Sequence, residues 1–197
     1  MMLAGTGLRT GELLGLLWSD IDLQEKTLTL SGKVTRGSGQ GLIREEFTKS
    51  EAGDGRVFAL PSKVVAMLAA RKKAQALSAR RGFVSATKIQ KDAELLPLVF
   101  PAANGSLRDP RNTQRQWRRV RVALGLDWVV THTYRKTTAT SIKDAGLDDL
   151  AASDQIGHAH VSMTQNVYYG RNKIRREVAA LLDENIGWAK KSGLASS

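Results

Sequence analysis

Gly157-His158-Ala159-His160-Val161-Ser162-Met163-Thr164-Gln165-Asn166-Val167-Tyr168-Tyr169-Gly170 is the stretch from which the rest of this chain is read. Ser162 followed by Gln165 has the form of a capping box, and Gly170 can end the same segment in a left-handed conformation. The pattern predicts a short helix over 162–169 with Tyr168 in its last turn, ten residues beyond His158. Two adjacent tyrosines at such a place ordinarily pack against a core. A tyrosine hydroxyl near histidines and arginines has a second use: it can attack a phosphate and hold it as a covalent ester.

Two upstream pairs supply such partners. His132-x-x-Arg135 opens a helix predicted over 133–145, and a spacing of three puts both side chains on one face. The same spacing also suits residues that cap or solvate a helix, and Thr131 can serve as N-cap in either case. Arg9-x-x-Glu12 stands at the start of a helical run from Arg9 to Leu17, with leucines at 13, 14, 16 and 17 for burial. Arg9 and Glu12 are equally compatible with a plain helix-start salt bridge.

Between these pairs the pattern alternates. Thr27–Leu30, Leu42–Thr48 and Arg56–Leu60 read as strands separated by glycines 37, 39, 41, 53 and 55, and so as a small antiparallel meander. Pro61 suits the first turn of a long helix to about Arg80, with Val64, Val65, Leu68 and Leu77 turned inward and Arg71, Lys72 and Lys73 outward. Residues 82–97 and 102–110 read as polar connections, and further helices are expected over 112–124, 147–156 and 173–185. The expected fold class is therefore mainly α with a small antiparallel β-sheet.

Thirty Lys and Arg against nineteen Asp and Glu give a formal charge of +11, which favours a polyanion such as nucleic acid. A generally basic, soluble surface is the plainer alternative. The cluster Arg115, Arg118, Arg119 and Arg121 lies on one predicted helix and could contact phosphates, with Trp117 as its apolar anchor to the core. No run of about 18 apolar residues occurs, and the opening Met1-Met2-Leu3-Ala4-Gly5 lacks the regions of a secretion signal, so no membrane is expected and the cytoplasm is. The absence of cysteine excludes disulfides and thiolate ligands. His158-x-His160 has no carboxylate cluster nearby to complete a site, so no metal is expected.

Taken together, Gly-Leu-Arg-x-Gly-Glu-Leu at 7–13, His-x-x-Arg at 132–135, Gly-His at 157–158 and the tyrosine ten residues on resemble the phage-integrase branch of the tyrosine recombinases. The resemblance implies the fold shared with type IB topoisomerases, no cofactor, double-stranded DNA as substrate, and strand exchange through a 3′-phosphotyrosyl link. It casts Tyr168 as nucleophile rather than Tyr169, whose register is one residue too long. Arg9 and Arg135 would hold the nonbridging phosphate oxygens, Glu12 would orient Arg9, His132 would move protons and His158 would hydrogen-bond the phosphate. Lys49, in Thr48-Lys49-Ser50, matches the hairpin lysine that protonates the leaving 5′ hydroxyl.

The same resemblance implies integration or excision of a mobile element by a tetramer on DNA, with room for an accessory directionality factor. It divides the chain into a catalytic domain at 1–170 and a C-terminal tail helix at 171–197, which in relatives packs on a neighbouring protomer but could pack within the chain. It also implies that the family's first helices and DNA-clamping domain precede the Gly-Leu-Arg segment and are not in this chain. Nicking and resealing by a lone protomer, or a DNA-binding remnant without strand exchange, are the competing readings.

Overall fold

The computed structural model describes residues 1–47, 56–80, 87–88, 95–156 and 174–188. Seven α-helices, one short 3-10 helix (Trp18–Asp20) and seven short strands lie within them. The helices are α1 (Met2–Thr6), α2 (Thr10–Leu14), α3 (Ser62–Arg80), α4 (Pro110–Ala123), α5 (Thr131–Asp144), α6 (Asp149–Ile156) and α7 (Arg176–Trp188). The strands are β1 (Ile21–Asp22), β2 (Thr27–Thr29), β3 (Gly32–Gly37), β4 (Gly41–Glu46), β5 (Val57–Ala59), β6 (Thr87–Lys88) and β7 (Leu95–Leu96).

The expected single meander is two separate pieces. β1, β2 and β5 form one antiparallel sheet, with Leu28 opposite Phe58, while among the described residues β4 pairs with β3 alone, from Gly32 opposite Glu46 to Gly37 opposite Gly41. β3 was not anticipated, because Gly32-Lys33-Val34-Thr35-Arg36-Gly37 shows little apolar alternation. It is held by backbone pairing to β4 and by the close approach of α2. A Cβ on Gly11 would stand 2.7 Å from the Val34 carbonyl oxygen, so only glycine lets the helix lie this near the strand.

The main core joins Leu8, Leu16, Leu28, Leu30, Phe58, Val64 and Leu68, tying the sheet to α3. Pro61 precedes α3 as the sequence implies, but two residues of its face differ from expectation. Leu77 is 55% exposed, and Arg71 turns inward to donate from Nε to the Val99 carbonyl while its guanidinium covers the Phe100 ring. Within the 82–97 connection, β6 and β7 form a two-residue ladder. α5 begins at Thr131, so Thr131 is its first helical residue; Thr133 Oγ1 instead accepts from the Val130 N–H at 3.0 Å.

α7 packs inside the chain. Val178 and Leu182 are buried with Ile142 of α5 and Ala151 of α6, and Asp183 accepts the Lys63 N–H at 2.9 Å at the start of α3. No described helix is long and apolar enough to cross a membrane.

Candidate active site

Arg9 is the N-cap of α2, in extended conformation, immediately before the helix turns. Its own N–H donates to Glu12 Oε2 at 2.7 Å and its Nη1 to Oε1 at 2.8 Å, so one carboxylate fixes both the backbone and the guanidinium. Glu12 is 3% exposed, and burying a carboxylate requires a countercharge behind it as well. That countercharge is Arg56, equally buried, whose Nη2 donates to Glu12 Oε2 at 3.1 Å. Burial pushes the Glu12 carboxyl up, but Arg56 and the two Arg9 donors pull it further down, below its ordinary value.

Arg135 comes to the same place from the far end of the chain. Its Nη1 donates at 2.9 Å to the carbonyl of Gly7, 128 residues away, and its Nη2 to the carbonyl of Ile156 at the end of α6. Gly7 closes α1 at φ +68, a left-handed turn that sets this carbonyl and that other residues adopt only with strain. The acceptors of Arg135 among the described residues are carbonyls, so its charge is not cancelled by direct pairing with a carboxylate. Desolvation, followed by the nearby Arg9 charge, lowers it to about 10, and it remains protonated at neutral pH.

Arg9, His132 and Arg135 line one cavity of about 460 Å³. α2 and β3 form one wall, the start of α4 another and the start of α5 the third. Arg36 of β3 and Asp109 also line the cavity, and Arg36 Nη2 donates to Asp109 Oδ2 at 2.6 Å. Asp109 is also the N-cap of α4, accepting from the Arg111 N–H at 2.8 Å, so a single carboxylate ties the β3–β4 hairpin to that helix. Burial raises Asp109, but the Arg111 amide and Arg36 outweigh it and hold the group below the usual carboxylate range.

The cavity therefore offers guanidinium donors from Arg9 and Arg135, with His132 exposed at its edge. Three guanidiniums, those of Arg9, Arg56 and Arg135, surround the single buried carboxylate of Glu12, which leaves a positive excess suited to an anionic phosphate. Lys49, His158 and Tyr168 lie outside the described residues, as do Tyr169 and His160.

The arginine cluster on α4 is divided by the helix. Arg118 and Arg121 face a smaller cavity beside His132, while Arg115 is exposed and donates to Asn112 at 2.9 Å and Arg119 is exposed to solvent. Trp117 is half-buried, donates from Nε1 to the Val129 carbonyl at 3.0 Å and stands 6.0 Å from the Tyr134 ring, which makes it the anchor of the helix.

Sequence reading missed Arg56, Arg36 and Asp109. Arg56 had a weak signal in being a charged residue at the head of a buried strand. Arg36 and Asp109 had none, since their pairing spans 73 positions.

The model of the phage integrase family matches residues 1–175. The chain belongs to that family, the tyrosine recombinases. It is 28% identical over 172 residues to a protein named tyrosine recombinase XerC-like from Caldanaerobacter subterraneus subsp. tengcongensis, covering 83% of this chain and 42% of the relative. It is 24% identical over 183 residues to the integrase of Staphylococcus phage L54a, covering 92% of this chain and 49% of the relative. The chain thus spans somewhat less than half the length of these curated relatives.

Among solved structures, the Tn1549 transposon integrase in complex with a circular intermediate DNA superposes with a TM-score of 0.66 at 21% identity, covering 94% of this chain and 56% of that one. The XerA recombinase gives 0.57 at 21%, covering 98% and 57%. Both likenesses show the expected tyrosine recombinase fold, mainly helical with small antiparallel sheets.

Proposed function

We propose that this tyrosine recombinase cuts and rejoins double-stranded DNA at a specific site through a 3′-phosphotyrosyl intermediate, in the integration or excision of a mobile element. The observation that carries the proposal is the convergence of Arg9 and Arg135 on one cavity with His132 beside them. Two guanidinium forks at fixed angles can hold the two nonbridging oxygens of a phosphodiester, and they stabilise the charge that grows there as the fifth oxygen approaches. Glu12 and Arg56 keep the Arg9 fork in place and keep the carboxylate from opposing the incoming phosphate.

In this reading Tyr168 attacks phosphorus and its proton passes to His132; Lys49 gives a proton to the departing 5′ oxygen, and His158 adds a hydrogen bond to the phosphate. The phosphodiester energy stays in the tyrosyl ester until a 5′ hydroxyl from the partner strand reverses the step, so no nucleotide is hydrolysed. Residues 1–170 form the catalytic unit and 171–197 its tail. The integrase of a phage and that of a transposon among the similar proteins support a mobile-element role. A tetramer on DNA, with a directionality factor, is the assembly such strand exchange calls for, in a cytoplasmic protein.

A nicked suicide duplex bearing the sequences that flank the gene tests the chemistry, using the chain together with any segment that its gene encodes upstream. A covalent protein–DNA adduct that disappears in Tyr168→Phe and persists in Tyr169→Phe is the expected result, because phenylalanine keeps the ring and removes the attacking oxygen. Retention of the duplex without any adduct would leave only DNA binding. Loss in Tyr169→Phe alone would move the nucleophile by one residue.

A further inference from the structure

A second cavity, of about 250 Å³, adjoins the first. The two share Gln114, Thr131 and His132 in their linings. Gln114, Arg118 and Arg121 reach the smaller cavity from α4 at positions i, i+4 and i+7, which is one stripe of a helix. Opposite them Thr131 and His132 begin α5, whose first turn is the positive end of its dipole. The side of α4 that carries Arg115 and Arg119 does not reach it.

Arg121 has a further peculiarity. Its Nε and Nη1 are shielded from solvent and have no hydrogen-bond partner among the described residues. Donors withdrawn from water without an acceptor are costly, and an anion that drew the Arg121 guanidinium into the adjoining cavity would relieve them. Among the described residues that line the cavity there is no carboxylate.

We infer that this smaller cavity is a binding subsite for the phosphate adjacent, along the cleaved strand, to the one held by Arg9 and Arg135, with Arg118 and Arg121 as its donors. The inference rests on the proposed role of Arg9 and Arg135. A DNA strand presents its phosphates one nucleoside apart, and the two cavities share lining residues, so successive phosphates of one strand are the pair of anions that such neighbouring cavities suit. Gripping two successive phosphates fixes the direction of the strand as well as its position, which a single phosphate site cannot do. Arg118 and Arg121 thereby become positioning residues for the scissile group.

A small probe tests this without cleavage or knowledge of the target sequence. A deoxynucleoside 3′,5′-bisphosphate carries two phosphates across one nucleoside, whereas a deoxynucleoside 5′-diphosphate carries comparable charge on one side only. At low ionic strength the parent chain is expected to bind the bisphosphate roughly tenfold more tightly, from the second set of charge-assisted bonds. Arg118→Gln, at an exposed position, and Arg121→Gln should each remove that preference. Lys143→Gln, which deletes the same charge about 18 Å away at the other end of α5, should keep it.

Equal affinity for the two probes in the parent would overturn the inference, as would a preference that survives Arg118→Gln or one lost equally in Lys143→Gln. Arg9→Gln should also abolish the preference. If it does not while Arg121→Gln does, the pairing of the two cavities falls together with the role given to Arg9. A covalent adduct on suicide DNA with no bisphosphate preference would sink this inference alone.

Discussion

Arg135 of α5 and Arg119 of α4 carry the same charge, and the fold treats them in contrary ways. Arg135 is 3% exposed, its fork pinned by the Gly7 and Ile156 carbonyls and its proton affinity lowered to about 10 by desolvation. Arg119 stands in solvent. Burying a cation costs several kcal/mol unless acceptors surround it, so that expense is met only where a donor must point in one direction. An exposed arginine costs almost nothing and attracts a polyanion from a distance, but its direction is free and salt screens it. The Arg9–Glu12–Arg56–Arg135 cluster gives direction; the outer α4 arginines give attraction.

Breaking the buried cluster should have the largest effect on the fold. Arg56→Met removes one of the two cations that neutralise Glu12, and a loss of about 3–5 kcal/mol in unfolding free energy is expected, read from urea denaturation. Glu12→Gln in the same chain should recover part of it, since the uncompensated carboxylate is then gone. Strictly additive losses would show that the two do not act as a pair. Arg119→Met should leave the denaturation midpoint where it is.

Next in size is the chemistry. Arg9→Lys or Arg135→Lys replaces a two-pronged donor by a point charge, and about 2.7–4 kcal/mol of transition-state stabilisation should be lost from adduct formation on suicide DNA. For Arg9, whose side chain is 54% exposed, the thermal transition should barely move. A Lys variant that forms adduct like the parent would remove that arginine from the site.

The pH response separates the cluster from the surface in a milder way. Glu12 has a folded pKa below its ordinary value, so its contribution to stability is complete above the unfolded carboxyl pKa and is lost as pH falls through the folded one. Unfolding curves collected downward from pH 6 should therefore steepen in the acid range for the parent and flatten for Glu12→Gln. Identical acid profiles would show that Glu12 is not held down by its arginines.

The smallest effects belong to the outer arginines. Arg115→Gln or Arg119→Gln should each reduce the slope of log affinity against log salt on duplex DNA by about 0.9, with little change in the adduct rate at saturating DNA. A parent slope near zero would contradict the polyanion argument altogether.

Among the described residues, the two halves of the candidate cavity were legible along the chain because each is local. Arg9 and Glu12 share one helical turn and are hydrogen-bonded, and His132 and Arg135, three apart on α5, line the same cavity. The strands β2 and β5 and helix α3 were likewise marked by alternation and by Pro61. β3 escaped, since its place depends on Gly11 yielding room to a neighbouring backbone rather than on any apolar pattern of its own. Leu77 misled for the converse reason: an apolar side chain at helical spacing says nothing about whether another element arrives to cover it.

The sequence by itself determined the family, the mainly helical class, the basic charge and the local pairs, because residue type and short spacing are enough for these. Only the tertiary structure decided that Arg56 neutralises Glu12, that Gly7 and Ile156 hold Arg135, that Asp109 latches Arg36, and which of the α4 arginines face a cavity. Those partners are separated by tens to more than a hundred positions, and a charge in a linear chain carries no mark of what will lie against it. Burial and direction are properties of the packed neighbours, so they exist only once the chain has brought α1, α2, β3, α4 and α5 around one cleft.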